Sequence, residues 1–127
     1  MYQEGGVAYI YLCYGIHHLF NVVTNVKNVA DAVLIRSLQP LHGIETMKKR
    51  RKSTIDNLCN GPGKLTQALG IKTSYNKTDL LGNTIWIEDL NIDIKSKEIR
   101  ISKRIGVEYA GEDAEKLWRF YVNSISV

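Results

Sequence analysis

Three tyrosines, one amide and one guanidinium are the residues of this chain best suited to chemistry. Tyr9, Tyr11 and Tyr14 precede Gly15, Asn21 follows, and Arg36 interrupts the apolar segment 32–39. Tyrosine rings stack on flat bases, an amide can discriminate base edges, and a semi-buried Arg can organise a charged reaction centre. Together they suggest recognition of a nucleobase. A carboxylate, which hydrolysis at a base needs, has no evident place among them.

Each of these residues also has a plainer use. In an extended strand Tyr9, Tyr11 and Cys13 face one way while Ile10, Leu12 and Tyr14 face the other. Sheet packing with hydroxyls reaching solvent is the commoner use of such tyrosines. The alternative is a hairpin tip that enters a nucleic-acid groove with Tyr14 as an aromatic wedge. Arg36 would share a face with Leu34 and Leu38, and burying a guanidinium without a partner costs on the order of several kcal/mol. Either a structural ion pair with a distant Glu or an active-site role beside an anion would explain it. Gly61-Pro62-Gly63-Lys64 resembles a helix start that cradles a phosphate, with Lys64 as a point charge. It lacks P-loop spacing, so nucleotide hydrolysis is not supported, and a plain helix start is the alternative. His17, His18 and His42 show no ligand spacing with Cys13 or Cys59, and no metal site is expected.

The elements that must carry these residues follow from pattern and punctuation. Segments 7–14, 19–26 and 32–38 are rich in β-branched and aromatic residues and are separated by Gly and Asn turns, which predicts an antiparallel meander. Residues 44–52 read as a helix ending in the basic run 48–52, taken as a solvated face that complements the helix dipole. A second helix starts at Pro62 and stops at Gly70. Segments 83–89, 98–102 and 117–123 read as further strands. At 127 residues the chain is expected to form a single domain, residues 1–127, with one core. A formal charge of +4 is permissive for phosphate backbones without requiring them. The cysteines form no redox motif, so a reducing cytosol is the expected compartment. No apolar run reaches membrane-span length.

Taken in order, several segments resemble the alkyladenine (3-methyladenine) DNA glycosylase family. They are the Tyr-x-Tyr-x-x-Tyr-Gly strand ending at Gly15, Asn21, the Leu-x-Arg strand at Leu34 with Pro40 and Gly43, and Glu45-Thr46-Met47. Asn60-Gly61-Pro62-Gly63-Lys64-Leu65 with Ala68-Leu69 comes next, then Arg104-Ile105-Gly106-Val107, Ala110-Gly111-Glu112 and Arg119-Phe120-Tyr121-Val122. The resemblance implies an α+β fold dominated by a curved, mostly antiparallel sheet (a roll or partly open barrel), with a protruding β-hairpin and a few short helices. It implies base-excision repair, in which a damaged purine is flipped from duplex DNA and its glycosidic bond is hydrolysed. Tyr14 would then be the intercalating wedge, Tyr11 a stacking wall, and Asn21 the residue that excludes guanine. Arg36, with the main-chain carbonyl of Ile105, would hold the attacking water. Ile16, His17 and Lys64 fall where the family contacts phosphates, although His17 departs from the aromatic residue of some members. No cofactor is implied. The implied partner is double-stranded DNA containing damaged purines, for a monomer in the cytoplasm at the nucleoid.

One departure bears on mechanism. Family members carry an upstream Glu-Ala-Tyr segment, whose Glu is the general base, and a further His. This chain is expected to be the C-terminal portion of such a protein, beginning downstream of that Glu. Losing a general base typically costs ~10²–10⁴-fold in rate. The expectation is therefore impaired catalysis, with a non-catalytic DNA-binding remnant as the rival reading and a protein-interaction domain as the third.

Overall fold

The computed structural model describes residues 4–52 and 57–125. Its secondary structure is α+β. Strands β1 (Ala8–Cys13), β2 (His17–Val23) and β3 (Ala32–Leu34) are followed by helices α1 (Ile44–Arg51) and α2 (Pro62–Leu69), then β4 (Arg100–Ser102) and β5 (Arg119–Tyr121). The strands form two antiparallel sheets, β1-β2-β3 and β4-β5. The chain divides into two compact units, Met1–Glu88 and Asp89–Val127.

In the first unit the register sets which residues share a face. Tyr9 pairs with Asn21, Tyr11 with Leu19 and Cys13 with His17, and Asn21 also pairs with Leu34. Period-two alternation puts this set on one side and Ala8, Ile10, Phe20 and Val22 on the other. The second set forms the core with Ile71 and Leu80. Another core joins the two helices through Met47, Leu58, Cys59, Leu65 and Ala68, and Ile35 packs against both clusters. The outer edge of β1 is covered by residues 76–80. Ala8 N–H donates to Thr78 O, Lys77 N–H donates to Ala8 O, and the Asn76 side chain accepts from Ile10 N–H at 2.9 Å.

The expected third strand, 32–38, is shorter than its pattern suggests. Ile35 N–H still donates to Phe20 O, but the chain then turns toward the segment before α2, where Ser37 pairs with Asn60 and Leu38 N–H donates to Cys59 O. The next carbonyl on that edge of β2, His18 O, accepts instead from the Thr66 hydroxyl of α2 at 2.7 Å. Strand pattern reports burial and pairing of any kind, and here a helix has taken over the edge of the sheet.

The basic run 48–52 is only partly a solvated face. Arg50 donates to Ala68 O at 2.9 Å, near the carboxyl end of α2. Arg51 donates to the carbonyls of Leu58 and Asn57 and to the Gln67 side chain. The two arginines bind carbonyls that would otherwise face outward, and so fasten α1 to α2. No strand forms at 83–89. Turn bonds to Asp79 and the single bond from Ile87 N–H to Leu80 O hold this part of the chain, and Trp86 and Ile87 are exposed. β-propensity without an adjacent strand edge did not suffice.

The second unit is built around a short hairpin-like pair, with Ile101 opposite Phe120. Cations cover its aromatic rings: Arg104 and Lys116 lie 4.9 and 4.7 Å from the Trp118 ring centre, and Arg119 lies 4.4 Å from that of Tyr121. Strands expected at 98–102 and 117–123 survive as three-residue pieces.

Candidate functional site

The β1–β2 turn holds a strained aromatic residue. Tyr14 has φ 53° and Gly15 φ 71°, and Ile16 N–H donates back to Cys13 O at 3.2 Å. Two successive left-handed residues suit the right-handed twist of a hairpin, and glycine takes that conformation without cost. Tyrosine does not. A left-handed L-residue costs roughly 1–2 kcal/mol, and here no burial offsets it, since Tyr14 is 90% exposed. A strained, exposed ring at a loop tip is a feature that function explains better than packing does. Ile16, beside it, is 70% exposed.

The base of this tip rests on the start of α2. Gly63 has no side chain where one would not fit: a Cβ there would lie 2.8 Å from His17 Nδ1 and 3.0 Å from its Cγ. The His17 ring is thereby packed on the helix backbone. A cavity of about 310 Å³ opens between the two elements, lined by Cys13, Tyr14, His17, Leu19 and Gly61-Pro62-Gly63-Lys64. No side chain caps the first turn of α2. Its dipole and the exposed Lys64 therefore favour an anion at that end. Three of the residues singled out by sequence, Tyr14, His17 and Lys64, converge here, with Ile16 adjoining.

Tyr11 and Asn21 stand further along the same sheet face as Cys13 and His17. The Tyr9 and Tyr11 rings lie 5.4 Å apart and are tilted by 38°. Asn21 is 8% exposed and donates through Nδ2 to Tyr9 O at 3.3 Å, which fixes its amide plane. Arg36 is half-buried just beyond β3. Because Ile35 enters both cores, alternation turns Arg36 to the side of Leu34 and Asn21. Ile105 belongs to the second unit, exposed in the segment after β4.

The acidic residues nearest in sequence are used elsewhere. Glu4 accepts the Lys27 amide at 3.0 Å, and Asp31 accepts from Asn25 Nδ2 at 2.7 Å. Both lie at the end of the sheet opposite the tip, roughly 20 Å away for a six-residue strand. Among the described residues, no group of three or more His, Cys, Asp or Glu side chains could hold a metal ion. Burial pushes the Cys59 thiol above its ordinary range, with partial opposition from the Arg51 charge, so it reads as core. Sequence reading passed over Gly63 as a close-approach residue and Thr66 as a buried donor. Thr66 was detectable as the one hydroxyl in the apolar run Leu65–Ala68–Leu69.

Residues 1–125 match the family model for methylpurine-DNA glycosylase (MPG). A Clostridium tetani protein named "Putative 3-methyladenine DNA glycosylase" is 46% identical over 96% of this chain and 64% of its own length. Proteins of the same name from Borrelia garinii subsp. bavariensis and Natranaerobius thermophilus are 47% and 41% identical, again over 96% of this chain, and are matched over 62% and 63% of their lengths. The chain thus spans somewhat less than two thirds of these curated relatives. Its match over 125 residues, with the hairpin and the α2 start in one site, leads to one assignment: the chain belongs to the methylpurine-DNA glycosylase family.

Proposed function

We propose that this chain supplies the DNA-contacting tip and one wall of the base pocket of a 3-methyladenine DNA glycosylase acting in base-excision repair. The observation that carries the reading is the convergence of a strained, exposed Tyr14 with His17 and the uncapped α2 start around one cavity. In this reading Tyr14 enters the duplex and fills the gap left by a flipped purine, while Ile16, His17 and Lys64 hold adjacent phosphates. The extruded base stacks on Tyr11. The Asn21 amide has one N–H committed to Tyr9 O, and it opposes the 2-amino donor of normal guanine with the other. Alkylated adenine and guanine, hypoxanthine and etheno adducts then form the substrate class.

Arg36 orients the attacking water. Its oxygen bonds to the sugar C1′, the glycosidic bond breaks, and the base leaves with the bonding pair. A carboxylate takes the water's proton and opposes the oxocarbenium charge. Glu4, Asp31, Glu45 and Asp79 are each engaged locally, with Lys27, Asn25, Lys48 and Leu81. The polypeptide of these 127 residues, assayed alone, is expected to bind damaged duplex as a monomer and to excise ~10²–10⁴-fold more slowly than an enzyme with its general base in place. Cytoplasmic residence at the nucleoid accords with this role.

The test is single-turnover release from a duplex containing hypoxanthine or an alkylated adenine, alongside binding to a duplex with an abasic analogue. Tight, salt-sensitive binding that weakens in Tyr14→Ala, with little base release, fits the proposal. Rapid release abolished by Arg36→Ala would show that these residues already contain the base. Binding with no preference for lesions would favour the non-catalytic remnant.

A further inference from the structure

We propose that Thr66 is a positioning residue that fixes the spacing between the Tyr14 hairpin tip and the amino end of α2. Its functional meaning rests on the DNA reading above. Thr66 is almost wholly buried, and it shares burial below one tenth with only one other polar residue among those described, Asn21. Its hydroxyl lies 2.7 Å from His18 O and 3.0 Å from Gly63 O. A hydroxyl has one proton, and the shorter contact takes the larger share of it. That proton reaches a carbonyl on the edge of β2 that β3 abandons after Ile35. The helix therefore occupies the place of a strand, and it does so through a side chain.

Two further contacts bracket the bond. The His17 ring rests on the Gly63 backbone, and His18 Nδ1 accepts the Thr73 amide at 3.2 Å. Residues 17 and 18 are thus held at the first turn of α2, at its middle and just past its end. The tip that begins one residue earlier, at Ile16, moves with α2. A wedge and a phosphate clamp act together only at a fixed separation, and this bond sets it. Valine has the shape of threonine without the donor, and would leave His18 O buried and unpaired. Serine keeps the donor.

The test uses the full chain with Thr66→Val, Thr66→Ser and Gly63→Ala. Residue-resolved hydrogen exchange is measured first, then the salt dependence of binding to a duplex carrying a tetrahydrofuran abasic analogue. Thr66→Val is expected to speed exchange about tenfold at residues 11–19 while the Ala8 and Val23 end stays unchanged. Thr66→Ser should restore the wild-type pattern. Gly63→Ala keeps the hydroxyl and displaces only the His17 ring, so it should leave exchange at residues 18 and 19 at the wild-type rate. Should the valine variant not fold, Thr66→Ala takes its place. In duplex binding, the slope of log Kd against log salt should fall by about 1 in Thr66→Val, the loss of one phosphate contact. Unchanged exchange at the tip, or uniform acceleration across the first unit, would overturn the proposal. Tip exchange that responds as expected in a protein that binds no duplex would uphold the positioning role and remove the DNA reading.

Discussion

The two units of this chain bury their side chains very differently. Among the described residues every buried side chain lies in the first unit, most of them in the clusters around Ile10 and Leu65. In the second, Ile101 and Phe120 face each other across β4 and β5 and both remain exposed, as do Ile105 and Leu117. Cations over Trp118 and Tyr121, together with the surface pairs Lys103–Glu115 and Lys116–Asp113, hold that unit. Exposed ion pairs contribute little, typically under ~1 kcal/mol each. Tyr14, His17, Asn21 and Arg36, the side chains of the proposed site, all lie in the unit with the cores.

The largest expected effect tests this division directly. Leu65 is 0% exposed, and Leu65→Ala should cost about 2–5 kcal/mol in urea unfolding of the chain. Phe120 is 63% exposed, and Phe120→Ala should cost roughly 0.5 kcal/mol or less. Similar losses for the two would mean that the second unit has a core of its own, and the comparison would fail.

The hairpin was legible from sequence because both of its signals are local: alternation sets the faces and Gly15 sets the turn. The two helices were legible for the same reason, through Pro62 and Gly70 and through Ile44 and Met47. Arg50 and Arg51 were not, since a charge run looks alike whether it meets water or the carbonyls of Ala68 and Leu58. The end of β3 was hidden because Leu38 is apolar whether it pairs with a strand or with Cys59. The segment 83–89 shows the converse, a strand composition with no edge to join. At the site, Tyr14 and Lys64 were singled out by residue type and motif, and His17 only through the family resemblance. Gly63 and Thr66 were missed because their roles arise from contacts 46 and 48 positions away, with His17 and His18.

Cysteine chemistry sharpens the same contrast, since both cysteines report on the first unit. Cys13 is half-buried and Cys59 is buried. Native-state alkylation should therefore label Cys13 first, and Cys59 only through opening of the α1–α2 core. Leu65→Ala should accelerate Cys59 labelling, whereas Phe120→Ala should leave it unchanged. The raised Cys59 pKa also gives a sign to the pH dependence. Stability from keeping this thiol neutral is fully present below its ordinary value of 9.0, and is lost as pH rises through the higher folded value. Cys59→Ala should flatten that alkaline decline in the urea midpoint. An unchanged decline would place the alkaline titration in other groups.

The smallest expected change in stability has the opposite sign and reaches the site itself. Tyr14→Gly removes a left-handed strain of roughly 1–2 kcal/mol, offset by roughly 0.5–1 kcal/mol of added freedom in the unfolded chain. A net gain of about 0.5 kcal/mol is expected in urea unfolding. Tyr14→Ala relieves no such strain and should bring no gain. Both variants lose the ring, and both should weaken binding to a duplex with an abasic analogue by about tenfold or more, as expected for base–aromatic contacts of ~1–3 kcal/mol. A glycine variant that is more stable yet binds worse would show that the first unit carries strain at its tip on behalf of recognition. If Tyr14→Gly instead lost stability, the ring would be contributing to packing, and the tip would belong with the scaffold that supports it.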